Sequence, residues 1–441
     1  QIFAMATQGD TEMAAMDIEA QSKLDDMRER YDRAVTYHSL KPAEAETLYK
    51  SVSAEEGDGE EFNKLKEQAI CKLGELYADQ KRVEDIQQLL ISIRPFFLNI
   101  PKAKTAKIVR TLIELVAKVP GADKVQMQLC LDTIEWCKQE KRTFLRHRIQ
   151  TKLSSMYFEV KDYTAALSLV GDLLREVKKL DDKPLLVEIH LVESRTHHQL
   201  RNMPKSKAAL TSARTAANAI YCPPLLQAQI DTQAGTLHAE EKDYKTAYSY
   251  FYEAFEAFQN QDDPRAVTSL KHMLLCKIMT NHAEEVPGLI DGKNSLKYGG
   301  SELESMREMA AAYQERSLDK LITTQEKFTK ELQEDPVTKF HLTNLYQTLL
   351  EQNLSRLIEP FSQVQIAHIA SLIKLPVDTV EVTLSQMILD KKFNGILDQG
   401  SGALIAYEDL PDNTTLEAGL ETIENMGKVV DSLYTRAARL S

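Results

Sequence analysis

The sequence predicts a mostly α-helical chain: an α-solenoid of helix hairpins, then a winged helix with a small β-wing, then one long C-terminal helix. Three observations carry this. Only 16 glycines and 14 prolines punctuate 441 residues, so long helices must be joined by short connections. Near the C-terminus, a helix-turn-helix pattern runs into two short apolar segments around a Gly-rich turn. Beyond it, apolar residues recur at spacings of four and three, the period of a coiled-coil seam.

Residues 1–60 read as a variable, partly flexible segment, Met-, Ala- and acid-rich at first and ending in the acidic loop Ser53–Glu61. The solenoid is expected over 61–282. Its apolar stripes are interrupted only briefly, at Ala78–Gln80, Arg94-Pro95, Val119–Gly121 and Glu140–Arg142, and gaps that short give antiparallel hairpins. The start of the second helix in successive pairs aligns at Tyr163–Ala166, Lys205–Ala208 and Tyr244–Ala247, separated by 42 and 39 residues. In tetratricopeptide-like repeats a small residue at such a position lets paired helices approach. Lys205 departs from the Tyr of its counterparts, and the period exceeds the roughly 34 residues of the standard repeat.

Residues 283–360 read as further helix, broken near Gly299-Gly300 and Glu334–Pro336, with a dense stripe over His341–Ile358. The winged helix is expected over 361–410. Ile366, Ile369, Ala370 and Ile373 share one helical face, Leu375-Pro376 turns the chain, and Val377, Val380, Leu384, Met387 and Ile388 form the stripe of a second helix. Gly395–Asp398 and Ala403–Tyr407 then supply two strands. A DNA reader would place cations on that second helix, yet Pro376–Asp390 carries Asp378, Glu381 and Asp390 with no Lys or Arg. Phosphate would be repelled.

Residues 411–441 form the last part, whose helix Thr415–Leu440 shows Leu416, Leu420, Ile423, Gly427, Val430, Leu433, Ala437 and Leu440 along its seam. Two readings fit that seam: it folds back on its own winged helix, or it assembles with helices of other subunits.

Composition narrows the function classes. A hydrophobic share of 43% is ordinary globular usage, and a net charge of −12 opposes a polyanion-binding surface. No segment approaches the roughly 20 apolar residues needed to span a bilayer, and residues 1–11 lack a signal-peptide pattern. Five scattered cysteines, without CxxC spacing, point to a reducing compartment, and Cys130 and Cys137 read as core thiols. Gly288–Asn294 falls one residue short of a phosphate loop and has Asn where Mg²⁺ needs a hydroxyl. His190, Glu193 and His197 share a helical face, but such a trio is ordinary on the polar side of a solenoid helix. No catalytic, cofactor-binding or metal-binding residue is assigned. Lys138, Lys141, Arg142, Arg146 and Arg148 read as a solvated helix start, with a nuclear-import or interface patch as the alternative.

Particular strings add a resemblance. Arg142–Arg146, Thr211–Pro224, Lys245–Phe255, Leu384–Phe393 and Gly395–Gly400 resemble the PCI-domain subunits of the 26S proteasome regulatory lid, and the likeness runs from about Lys66 to the C-terminus. The resemblance implies a non-catalytic scaffold of cytoplasm and nucleus, without cofactor, nucleic acid or membrane. Its solenoid, before about His282, would reach an ATPase-ring subunit and a core-particle α subunit, bracing the regulatory particle against the core. Its winged (PCI) domain would join other lid PCI subunits through wing strands near Ile396 and Ile405. Leu416, Leu420, Ile423, Val430, Leu433 and Leu440 would enter the lid helical bundle. Pro376, Gly299-Gly300 and the N-terminal segment depart from the family pattern. Two alternatives stand beside it: a signalosome-type PCI scaffold of the same architecture, and a winged-helix nucleic-acid regulator.

Overall fold

The computed structural model describes residues 23–38, 40–55, 59–98, 100–119, 121–293, 295–333, 336–398, 400–407 and 414–438. Helices dominate. A helix over residues 23–37 (α1) is followed by α2 (Pro42–Ala54), α3 (Glu60–Asp79) and α4 (Val83–Ser92), then a 3₁₀ turn, Arg94–Leu98. Next come α5 (Lys102–Ala117), α6 (Asp123–Gln139), α7 (Thr143–Glu159), α8 (Tyr163–Leu180), α9 (Lys183–Gln199), α10 (Met203–Asn218), α11 (Pro224–Glu240) and α12 (Tyr244–Asn260).

One turn is used repeatedly. Lys141, Lys161, Asp181, Arg201, Lys242, Asp262 and Asn281 all have φ between 51° and 68°, the left-handed region, and the first four fall 20 residues apart. Each closes the helix before it. After Lys161 the Asp162 N–H donates back to Tyr157 O at 2.9 Å, and after Arg201 the Asn202 N–H does the same to His197 O at 2.9 Å. The same residue then caps the next helix, Asp162 Oδ1 accepting from Ala165 N–H at 3.2 Å and Asn202 Oδ1 from Lys205 N–H at 3.4 Å. Two residues thus stop one helix and start another without glycine. That is how the chain makes so many turns from so few glycines.

Two compact units result, one built from the described residues up to Leu237 with Glu256–Gln261, the other from His238–Phe255 and the described residues from Asp262 on. In the first, helices pack on their sequence neighbours, α7 with α8, α8 with α9, α9 with α10, and α7 also with α9, as a solenoid requires. The packing begins earlier than residue 61. Met27, Ala34, Tyr49 and Val52 are fully buried in one core with Leu73, Ile86 and Leu112, so α1 and α2 belong to it; their few apolar positions are diluted by acids in the sequence. Between α3 and α5 the approach is tight: a Cβ on Gly74 would lie 2.7 Å from Leu112 Cδ2.

The repeat's outer members hold their places, and its middle member lies two residues earlier than its spacing predicts. Ala166 and Ala247 are fully buried, whereas Ala208 is exposed and Ser206 takes the buried place, four residues after Asn202 as Ala166 is four after Asp162. Ser206 meets α9 through hydrogen bonds, Ser206 Oγ donating to Ser194 O at 2.8 Å.

The second unit contains α13 (Arg265–Met279), α14 (Val286–Ile290), α15 (Ser301–Gln314), α16 (Leu318–Lys327), α17 (Thr329–Gln333) and α18 (Pro336–Ile358). In α18, Leu342, Leu345, Leu349, Leu350 and Leu354 are buried. The winged helix follows as β1 (Gln363–Gln365), α19 (Ile366–Ile373), α20 (Val377–Leu389), β2 (Asn394–Asp398) and β3 (Ala403–Tyr407); α21 (Thr414–Ala438) ends the described chain. The sheet is antiparallel in the order β1-β3-β2. β1 was not expected, because three residues with two Gln offer no periodicity. Val377 also corrects the reading: as the first residue of α20 it lies outside the buried line Val380, Leu384, Met387 and is exposed.

Candidate functional site

Neither the near phosphate loop nor the trio His190, Glu193 and His197 is built into a site among the described residues. The near phosphate loop is helical over Val286–Ile290, so its amides serve a helix turn, and Asn294 lies outside the described residues. His190 Nδ1 sits 2.8 Å from Glu193 Oε2, an ion-pair geometry within one helix, and no cluster fit for a metal is present among the described residues. All five cysteines are free. Burial pushes the thiols of Cys130 and Cys137 up to about 11 and that of Cys276 up to about 12, away from nucleophile behaviour.

The wing offers a surface instead. Register places Ile396 opposite Ile405, and Ile405 opposite Gln363, on one face; Leu397, Leu404 and Val364 share the other. The second face is the core side, with Leu404 and Val364 buried. Ile396 is therefore turned outward on an edge strand, 53% exposed, while Ile405 on the central strand is half-buried. An edge strand carries unpaired backbone groups able to receive a neighbour. Beside β2, the outer face of α20 forms an open groove of about 620 Å³ lined by Asp378, Glu381, Val382, Leu389, Asp390 and Leu397. Three carboxylates share that lining with Val382, Leu389 and Leu397, a combination that repels phosphate.

α21 is the second surface. Every described side chain from 415 to 438 is exposed. Leu416, Leu420, Ile423, Val430 and Leu433 stand 58–67% exposed; Leu440 lies outside the described residues. Met426, Val429 and Tyr434, missed in the strict four-three spacing, are exposed too and widen the stripe. Leu416, Ile423 and Val430 recur every seven residues, Met426 and Leu433 stand three beyond, and Leu420 and Tyr434 four beyond, which is a three-position apolar face. At 25 residues the helix is about 37 Å long. A helix with such a face in water lacks the packing that ordinarily stabilises helices, so its energetics call for a partner surface.

Comparison with known proteins agrees in all three parts. Residues 27–161 match the family model described as the 26S proteasome regulatory subunit RPN6 N-terminal domain, residues 313–408 the PCI domain, and residues 414–438 the 26S proteasome subunit RPN6 C-terminal helix domain. The chain is 55% identical to the 26S proteasome non-ATPase regulatory subunit 11 homolog of Arabidopsis thaliana over 90% of this chain and 95% of that protein. It is 51% identical to the 26S proteasome non-ATPase regulatory subunit 11 of Dictyostelium discoideum (86% and 92% covered) and 44% identical to the 26S proteasome regulatory subunit RPN6 of Saccharomyces cerevisiae (85% and 87%). With helices, wing and terminal helix each accounted for at these identities, the chain belongs to the RPN6 family, the non-ATPase regulatory subunit 11 of the 26S proteasome.

Proposed function

We propose that the chain is a non-catalytic scaffold of the regulatory-particle lid, holding lid subunits together and bracing the particle for ubiquitin-dependent protein degradation. One observation carries this reading: an apolar face some seven turns long on α21 with no cover among the described residues. Full burial of a large apolar side chain contributes about 1.5–3 kcal/mol, so the face as a whole favours association by on the order of 10 kcal/mol before the entropy of ordering. In this reading the seam Leu416, Leu420, Ile423, Val430 and Leu433, with Leu440 beyond, joins a helical bundle of lid subunits. Ile396 and Ile405 mark where the wing meets another PCI subunit. The solenoid reaches an ATPase-ring subunit and a core-particle α subunit. Residence in cytoplasm and nucleus goes with that role, and no helix among the described residues is long and apolar enough to cross a membrane.

The test replaces Ile423 and Val430 together by Asp in the full chain. Both are exposed, so circular dichroism should be unchanged while co-purification of other lid subunits is lost. Full recovery of those subunits with the double variant would overturn the bundle role.

A further inference from the structure

The basic cluster at the α6–α7 turn does not behave as a solvated helix start. Lys138, Lys141 and Arg148 are exposed, but Arg142 and Arg146 are half-buried, and so is Arg94 in the 3₁₀ turn whose Phe97 carbonyl Arg142 reaches. All three guanidiniums lie close enough to Cys137 for their charges to act on its thiol, against the burial that raises it. Arg142 lies on the face of Trp136, its Cζ 4.9 Å from the ring centroid, and its Nη2 donates to Phe97 O at 3.1 Å. Arg146 pairs with Glu176 of α8, whose Oε2 is also 2.8 Å from His147 Nε2. Arg94 makes no hydrogen bond or ion pair with any described residue.

Three features set this cluster apart from an ordinary surface patch. Arg94 Nε, Arg142 Nη1 and Arg146 Nε are each buried without an acceptor among the described residues, a costly state for charged donors. Glu176 is the one carboxylate within ion-pair distance of any of the three among the described residues, and it pairs with Arg146, so Arg94 and Arg142 are left as two positive charges without an ion-pair partner there. Lys138, near enough to act on Glu176, adds to that field. Finally, Arg142 stands where Asp162, Asp182 and Asn202 cap the helices that follow them, and it caps nothing. Forgoing a cap costs helix stability, and local rules are broken most often at functional sites.

We propose that Arg94, Arg142 and Arg146 form a binding site for a phosphoryl group. A phosphate monoester carries about −1.5 to −2 charges, which matches the local excess, and guanidinium forks pair with its oxygens two at a time. The group could arrive on a phosphorylated segment of a neighbouring protein or as free polyphosphate; the chemistry recognised is the same.

Isothermal titration of the full chain at constant ionic strength tests this with three probes: inorganic phosphate, tripolyphosphate, and a short neutral peptide bearing phosphoserine, alongside its unphosphorylated form. We expect saturable binding of one equivalent of a phosphoryl probe, weakened about tenfold or more by Arg94→Gln. Arg94 holds no described residue, so the melting temperature should be unchanged. Arg142→Asp should restore a helix cap, keep the fold and abolish binding. Arg175→Gln, an exposed α8 arginine paired with Asp172, should leave binding intact. A tighter phosphopeptide would identify a modified protein as the source, a tighter tripolyphosphate a free polyanion. No saturable binding of any probe, no effect of Arg94→Gln, or equal weakening by Arg175→Gln would each overturn the site.

Discussion

Ser194 and Ser206 bind each other twice across α9 and α10. Ser206 Oγ donates to Ser194 O at 2.8 Å and Ser194 Oγ donates to Ser206 O at 3.0 Å, with both side chains fully buried. Each hydroxyl reaches the other helix's backbone, so the two helices are held closer than larger side chains would permit. Ser206→Ala should cost about 1 kcal/mol, the net worth of one hydrogen bond plus an orphaned partner. Ser206→Leu should cost up to about 3 kcal/mol, because the helices must separate. Urea unfolding reads both as a lower midpoint at unchanged slope. Equal effects of Ala and Leu would mean the interface is loose there.

The repeated left-handed turn residue gives a second prediction. Lys161 has φ 68°, a conformation that costs an L-residue roughly 1–2 kcal/mol and glycine almost nothing. Lys161→Gly should therefore be neutral or stabilising by up to about 1 kcal/mol, offset in part by the entropy of the unfolded chain. A β-branched residue is worse placed than lysine, so Lys161→Val should lose about 1–2 kcal/mol. Thermal melts of the pair should bracket the parent protein; a stabilised Val variant would refute the strain.

These two sites show what the sequence could and could not carry. Periodicity within one element was readable: the α20 line Val380, Leu384, Met387 and both wing strands needed no knowledge of neighbours. Identity across repeats was harder, since Ser206 does by hydrogen bonding what Ala166 does by size. The arginine cluster is not legible in sequence because burial there is set at long range, Arg142 meeting a carbonyl 45 residues away in sequence. The outward face of α21 was readable as a seam, but its full width was hidden by counting only spacings of four and three.

Glu46 on α2 supplies a pH prediction. Its carboxylate accepts from Lys50 Nζ at 2.7 Å, Tyr77 Oη at 3.0 Å and Arg82 Nη1 at 3.0 Å, joining α2 to the end of α3. The Lys50 hydrogen bond foremost, with those from Tyr77 and Arg82, holds its carboxyl below the usual carboxylate range. A lowered folded pKa contributes stability that is complete above the unfolded value, about 4.3, and is lost as pH falls through the folded value. Glu46→Gln should thus be less stable than the parent at pH 7. The gap should begin to narrow as pH falls below about 4.3 and should close only as pH passes through the lower folded value, where the parent's carboxylate is protonated. A gap independent of pH would assign the effect to packing and not to charge.

Gly427 separates two ways of burying the α21 face. It sits four residues after Ile423 and three before Val430, in the middle of the apolar stripe, and a Cβ built on it meets nothing within 4 Å. In the free chain Gly427→Ala should therefore stabilise the helix by about 1 kcal/mol, the ordinary propensity gain, seen as added helicity near 222 nm by circular dichroism. Gly427→Leu should gain a little less in propensity while enlarging the apolar face. If the face meets a loose apolar surface, the extra side chain strengthens association. If it enters a close-packed helical bundle, the notch at Gly427 admits a neighbouring backbone and a leucine there blocks it, so co-purification of lid subunits should fall although the free helix is more stable. We expect the second outcome, because a knobs-into-holes seam depends on side-chain size at each position. Stronger recovery of lid subunits with Gly427→Leu would rule out close packing at this turn.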